Sequence, residues 1–224
     1  MTEETLTTGA TIRVTGPRDG LVVLCLNGGT ARERPGIWSA SVDCLVRRLA
    51  PTLPDVGWAE VRYRVRSWRQ MDMCIEDGAA ALERLVTGGA REVVILGYSM
   101  GGAVAGAIAG HPRVHQVIGL APWLPERIPM PGMEGKHFDV FHGSLDRYLP
   151  GIPGVSPTSS RAGFDRLRRD GTTGTYTLIA GGVHAIAVRS PWGSVVALPR
   201  ADSWARHVAD ALTTFAHPNG GASE

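Results

Sequence analysis

The sequence has little of several residues on which whole classes of enzyme depend. Only one of its 23 basic residues, Lys136, is a lysine, so a P-loop Gly-Lys-Ser/Thr is absent and Schiff-base chemistry has a single candidate. Its three cysteines, Cys25, Cys44 and Cys74, are widely spaced and form no Cys-x-x-Cys. They argue against a disulfide framework, a zinc knuckle or a thioredoxin-type site, and we expect buried, reduced thiols.

The chain also has no charge excess, and its first ten residues predict no targeting segment. With 23 basic and 21 acidic residues the net charge is +2, too near balance to indicate nucleic acid or an anionic membrane as the main partner. Residues 1–10 carry no basic or apolar signal region, so we expect a cytoplasmic protein. The charge-free run 93–110 contains five glycines and predicts a buried strand, a turn and a small-residue helix rather than a membrane span.

Hydrophobic periodicity predicts a single α/β domain over residues 1–216, with a frayed tail at 217–224. Short β-rich runs alternate with longer amphipathic stretches, a pattern typical of a mostly parallel sheet flanked by helices. The predicted strands are 11–15, 21–27, 58–65, 92–97, 114–120, 138–142 and 173–179. The predicted helices are 38–50, 70–87, 100–110, 159–170 and 200–216.

The strongest local signal is a Gly-Tyr-Ser-Met-Gly pentapeptide at 97–101. It follows a predicted strand directly and precedes a helix of small residues, which is the context that a strained nucleophile elbow requires. Ser99 is therefore the candidate nucleophile. A tight strand-to-helix turn with an inert serine is the simpler alternative.

A candidate acid and a candidate base follow Ser99 in the order serine, acid, histidine, which is the order expected after a nucleophile elbow. Asp146 comes just after the predicted strand 138–142, and His184 lies on a glycine loop after the strand 173–179. The carboxyl ends of parallel strands are where open α/β sheets place their sites. Glu126, in the loop after the preceding strand, remains a competing acid.

A developing oxyanion would need two backbone N–H groups. Met100, the residue after the serine, is one candidate donor, and Gly29, in the Asn27-Gly28-Gly29 turn after a buried strand, is the other. Four aromatic residues in or beside loops are candidate pocket walls, with anchoring of the loops as the alternative for the tryptophans. They are Trp68, Tyr98, Trp123 and Trp192.

These motifs resemble those of the α/β-hydrolase superfamily, in particular its small serine esterases of the dienelactone-hydrolase-like and lipase/esterase-like kinds. The elbow and the acid-loop sequence from Phe141 to Pro150 are the residues that carry the likeness. The resemblance implies a Ser99–His184–Asp146 triad, an acyl-enzyme and no cofactor. Asn27 departs from the histidine of many relatives. The short segment 122–135 leaves little room for a lid, so we expect a minimal cap and a shallow pocket.

Two further patterns favour ordinary structural roles. Four arginines alternate with apolar residues, which predicts a strand whose cations are paired or solvated, although one of them near a pocket mouth would suit a substrate carboxylate. They are Arg62, Arg64, Arg66 and Arg69. His111 and His115 have metal-like spacing, but Pro112 breaks the helix that would align them.

The sequence therefore predicts an esterase that acts on a small-molecule ester, with a preference for short acyl chains. An acyltransferase or cyclase that uses the same acyl-serine, and a non-catalytic protein that keeps the pocket, are the alternatives. The sequence carries no signal for the oligomeric state.

Overall fold

The computed structural model describes residues 1–147 and 154–216. The predicted tail at 217–224, and the part of the acid loop from 148 to 153, lie outside the described residues. The helices are α1 (Ala40–Leu49), α2 (Met71–Thr87), α3 (Met100–Ile108), α4 (Pro157–Arg169) and α5 (Ala201–Ala216).

Eight strands form one sheet that is mostly parallel. They are β1 (Thr2–Thr5), β2 (Thr11–Thr15), β3 (Gly20–Leu26), β4 (Gly57–Arg62), β5 (Ala90–Tyr98), β6 (Val114–Leu120), β7 (His137–Gly143) and β8 (Tyr176–Ile179). Their order is β1-β2-β4-β3-β5-β6-β7-β8. The pairings of β1 with β2 and of β2 with β4 are antiparallel, and the others are parallel. A separate antiparallel hairpin joins β9 (Ala187–Arg189) and β10 (Val195–Ala197).

The core is divided between the two faces of this sheet. Alternate residues of a strand point to opposite faces, and in β3 Leu24 joins one buried cluster while Cys25 joins the other. Helices α2, α3 and α4 cover the first face, and α1 and α5 cover the second. Burial on both faces explains why the central strands are continuous apolar runs.

The predicted fold class is confirmed, and each predicted strand and helix has a counterpart. Two predicted strands are longer than the observed ones. Strand β8 begins at Tyr176 and not at residue 173, because Gly174 has a φ of 115°. Strand β4 ends at Arg62 and not at residue 65, since Val65 forms only an isolated bridge. Strand β1 and the β9–β10 hairpin are additions. The three cysteines are buried and free, and no helix in the described part of the chain is long and apolar enough to cross a membrane.

Candidate active site

Ser99 occupies a strained turn between β5 and α3. Its φ of 55° and ψ of −118° lie in a region that non-glycine residues rarely adopt. The flanking glycines permit this turn, because a Cβ on Gly97 would lie 2.5 Å from the Gly101 carbonyl oxygen, and one on Gly101 would collide with the Leu26 carbonyl. The Gly-x-Ser-x-Gly spacing thus presents the Ser99 hydroxyl beyond the carboxyl end of the central strand.

A chain of hydrogen bonds runs from Ser99 through His184 to Asp146. The Nε2 atom of His184 lies 3.0 Å from Ser99 Oγ, and its Nδ1 atom lies 2.6 Å from Asp146 Oδ2. Asp146 is 1% exposed and Ser99 is 7% exposed. Because the carboxylate can only accept, Nδ1 of His184 carries the proton in that bond and Nε2 is left to accept from the serine hydroxyl.

Hydrogen bonds join the loop after β7, which carries Asp146, to the loop after β8, which carries His184. The N–H of Leu145 donates to the Gly182 carbonyl at 2.9 Å, and the N–H of Gly181 donates to Ser144 Oγ at 3.0 Å. Gly143 must lack a side chain, since its Cβ would stand 2.5 Å from the Gly182 oxygen. The glycines after β7 and β8 therefore bring Asp146 and His184 to one place.

Asp146 is held by groups beyond His184. Its Oδ1 accepts the N–H of Val155 at 3.1 Å, and its Oδ2 lies 3.1 Å from Nε2 of the fully buried His142. Burial raises the pKa of Asp146, but hydrogen bonds and charge from His142 and His184 outweigh it, so the pKa lies below its ordinary value. The carboxylate form is thus favoured at neutral pH.

Glu126, the competing acid, lies elsewhere. It lines a separate cavity of about 380 Å³ together with Arg166 and Asp170. The carboxylate placed on His184 is that of Asp146.

The Gly28-Gly29 turn packs directly against the serine. A Cβ on Gly28 would stand 3.2 Å from Ser99 Cβ, and one on Gly29 would collide with the Met100 sulfur. Both glycines line the same cavity as Ser99, whereas the side chain of Met100 is fully buried at the start of α3. Oxyanion donors must lie close to the nucleophile, and this turn does. The assignment of the Gly29 and Met100 N–H groups as those donors stays a prediction.

A buried carboxylate supports that turn from β4. Glu60 Oε1 accepts from the Asn27 side-chain amide at 3.0 Å and from the Ser39 N–H at 2.7 Å. Its Oε2 pairs with Arg13 at 2.5 Å. Burial raises the pKa of Glu60, and Arg13 together with these donors counteracts part of that rise. Asn27, which stands where many hydrolases have histidine, is therefore part of the framework of the turn.

The cavity at Ser99 has a volume of about 310 Å³, at the lower end of the range for small-molecule sites. Tyr98 lines it, and its hydroxyl donates to the His184 carbonyl at 3.3 Å. Burial raises the pKa of Tyr98 to about 12. Other walls come from the loop after β3, from α1 and from the segment after His184, among them Thr30, Ile37, Ser41, Ala185 and Ala187.

The prediction that three tryptophans line this cavity is wrong. Trp68 and Trp123 pack against each other, with ring centroids 6.2 Å apart, and against one core cluster. Trp192 lies in the turn between β9 and β10 and is 89% exposed. None of the three is among the described residues of the cavity wall.

Sequence reasoning missed three residues that surround the site. His142 is the first residue of the His-Gly-Ser-Leu-Asp motif, and the motif alone does not indicate its role. Glu60 is an acid inside an apolar strand, which signals a buried partner. Ser41 Oγ accepts the N–H of Ile186 at 3.1 Å and so ties the segment after His184 to α1; nothing in the sequence indicates this contact.

Comparison with known proteins identifies the fold. No family profile and no curated protein sequence matches this chain, but solved structures do. The carboxylesterase Cest-2923 from Lactobacillus plantarum is similar over 96% of this chain and 94% of its own, with a TM-score of 0.67 and 14% identity. A dienelactone-hydrolase-like promiscuous phosphotriesterase from metagenomic libraries covers 95% and 97%, with a TM-score of 0.63 and 19% identity. An α/β serine hydrolase homologue from Coxiella burnetii covers 91% of both chains, with a TM-score of 0.61 and 15% identity. The chain has the α/β-hydrolase fold.

Proposed function

We propose that this protein is a serine hydrolase that cleaves a small carboxylic ester through an acyl-serine intermediate. The observation that carries the proposal is the hydrogen-bonded chain Ser99–His184–Asp146 at the strained turn after β5. A serine hydroxyl is a weak nucleophile, and a histidine oriented by a carboxylate is the arrangement that activates it. The likeness in fold to a solved carboxylesterase supports the same activity.

In the proposed reaction Ser99 Oγ attacks the ester carbonyl while His184 Nε2 takes the hydroxyl proton. The carbonyl oxygen becomes an oxyanion next to the N–H groups of Gly29 and Met100, and collapse expels the alcohol, which receives the proton from His184. Water then attacks the acyl-serine by the same route and releases the acid and the free hydroxyl. Asp146 keeps the proton on Nδ1 of His184 throughout, so Nε2 remains the base.

The test is Ser99→Ala with an exposed serine as the matched control. Ser99→Ala should lower turnover of a p-nitrophenyl ester by on the order of 10³-fold or more and abolish labelling by a fluorophosphonate, because the covalent route is lost. Ser159→Ala, on the exposed side of α4, should change neither. Undiminished labelling of Ser99→Ala would show that another residue is the nucleophile.

The size of the cavity supports small substrates in particular. A volume of about 310 Å³ admits a short acyl chain together with a small alcohol. A series of p-nitrophenyl esters of graded length should therefore show its highest kcat/KM at short chains. An optimum at long-chain, emulsified esters would contradict the small-substrate proposal.

A further inference from the structure

One arginine in the wall of the cavity differs from its neighbours along the chain. Arg62 pairs with Glu3 at 3.3 Å, and Arg64 pairs with the buried Asp77 at 2.8 Å. Arg66 lines the cavity together with Ser99, and no carboxylate of the described residues lies within ion-pair distance of it. Of the four arginines in the stripe, Arg66 is the one that lines the candidate site.

The guanidinium of Arg66 is incompletely satisfied by the protein. Its Nε is buried and has no hydrogen-bond partner among the described residues. Burial, and to a smaller extent the nearby positive charge of Arg34, lower the pKa of Arg66. An arginine nevertheless stays protonated in proteins, so the cavity wall carries a partly desolvated positive charge without an opposite charge beside it. Such a charge is costly to bury.

The main chain, rather than the side chain, fixes the position of Arg66. Its N–H donates to the Arg34 carbonyl at 2.9 Å, and its carbonyl accepts from Thr30 Oγ1 at 3.2 Å. No described hydrogen bond of the guanidinium is therefore needed to hold this loop. A role toward a bound molecule accounts better for an arginine at this position.

The walls of the cavity are otherwise free of fixed charge. Among its described lining residues Arg66 is the only lysine or arginine, and none is an aspartate or glutamate. The remaining polar groups are hydroxyls, the Asn27 amide and His184. One cation in a small site with no anion matches a ligand with a single negative charge.

We propose that Arg66 binds a carboxylate of the substrate, so that this enzyme acts on small esters that carry a carboxylate near the scissile bond. This inference rests on the proposed function at Ser99. The planar guanidinium fork matches the planar carboxylate. Since Arg66 and Ser99 line one cavity of about 310 Å³, only a few bonds can separate the carboxylate from the ester carbonyl.

Paired substrates that differ by one group test the proposal. Ethyl hydrogen glutarate and ethyl valerate share the same acyl chain except that a carboxylate replaces the terminal methyl. 4-Acetoxybenzoate and 4-tolyl acetate place the same exchange on the alcohol. We expect the carboxylate member of at least one pair to have the higher kcat/KM by about 10- to 100-fold, the worth of a hydrogen bond to a charged group.

The variants assign that preference to Arg66. In Arg66→Gln the ratio of the two kcat/KM values should fall to near one, and Arg66→Lys should restore part of it. Arg69→Gln is the matched control: it removes the same charge from an exposed position outside the cavity wall and should keep the wild-type ratio. Thermal denaturation checks that each variant is folded. Equal rates within both pairs, or a preference that survives Arg66→Gln, would overturn the inference.

Binding without turnover separates this inference from the proposed function. Ethyl hydrogen glutarate, which carries a single negative charge, should bind the Ser99→Ala protein by calorimetry, and Arg66→Gln in that background should weaken the Kd by about tenfold or more. If the wild-type protein cleaves no ester but ethyl hydrogen glutarate binds through Arg66, the proposed function fails and the carboxylate site stands. If esters are cleaved and ethyl hydrogen glutarate binds equally with and without Arg66, only the carboxylate site fails.

Discussion

Glu60 and Asp146 are both almost fully buried, at 3% and 1% exposure, yet the groups around them differ. Glu60 pairs with the permanent cation Arg13 and accepts from an amide and a main-chain N–H. Asp146 accepts from one main-chain N–H and faces two histidines, one of which reaches Ser99. Glu60 is thus fixed among its partners, whereas Asp146 is hydrogen-bonded to His184, whose side chain can exchange a proton.

This difference assigns the two carboxylates to different tasks. Burial leaves the pKa of Glu60 raised despite its donors, while the donors of Asp146 leave its pKa lowered. Breaking the Glu60 framework should therefore affect mainly stability, and breaking the Asp146 contacts should affect mainly turnover. Substitutions of Asp146, Glu60 and His142, the first two with a matched control, test this contrast from the largest effect to the smallest.

Asp146→Asn should have the largest effect. We expect a folded protein with turnover lowered by up to about 10⁴-fold, because an amide in place of the carboxylate no longer holds the proton on Nδ1 of His184. Glu126→Gln, which changes an acid of the separate cavity, should cost less than about tenfold. Steady-state rates of both variants on one ester decide the matter, and the reverse ranking would transfer the orienting role to Glu126.

Glu60→Gln should have the opposite effect and lower mainly stability rather than turnover. Removing the charge leaves Arg13, only 15% exposed, with the more distant Asp43 at 3.8 Å as its remaining carboxylate, and breaking a buried pair costs up to about 3–5 kcal/mol of unfolding free energy. Urea denaturation measures this loss. Glu3→Gln is the control, because it breaks the exposed Arg62 pair and should cost less than about 1 kcal/mol. Equal losses in the two variants would show that Glu60 is no more than a surface-type partner.

The sequence could predict the parts of the site that depend on chain order and local turns. Ser99, Asp146 and His184 each follow a predicted strand, so parallel pairing alone brings them to one edge of the sheet. The partners of Glu60 and Arg66 could not be predicted in this way, because they depend on which distant segment supplies or withholds an opposite charge. Arg13 lies 47 residues from Glu60, and no local pattern indicates their contact.

The elements that were missed have equally plain physical causes. Strand β1 is the edge sequence Thr-Glu-Glu-Thr, mostly exposed, so it carries no apolar alternation that would predict a strand. The strands β9 and β10 have three residues each, too few to show a period. Trp192 gave a false indication of a pocket, because an aromatic residue in a loop looks the same whether it faces a cavity or solvent.

His142 permits the finest test of how Asp146 is held. Its Nε2 lies 2.9 Å from the Val155 carbonyl and 3.1 Å from Asp146 Oδ2, both acceptors, so this nitrogen carries a proton. His142→Phe removes the donor while keeping a ring beside Tyr176, and His142→Gln keeps an N–H donor. We expect turnover to fall by about tenfold in the Phe variant and by less in the Gln variant, which corresponds to one hydrogen bond to a charged group.

The same pair of variants should differ in the dependence of stability on pH. The folded-state pKa of Asp146 is lowered from 3.8, so its contribution to stability is present above about pH 4 and is lost as the pH falls through the folded value. Without the His142 donor that pKa moves upward and the contribution shrinks. Because neither variant carries an imidazole at 142, the difference between them isolates the donor: urea midpoints should favour Gln over Phe at pH 6, and this advantage should diminish below about pH 4. A difference that stays constant down to pH 3 would mean that residue 142 acts through packing and not through the charge on Asp146.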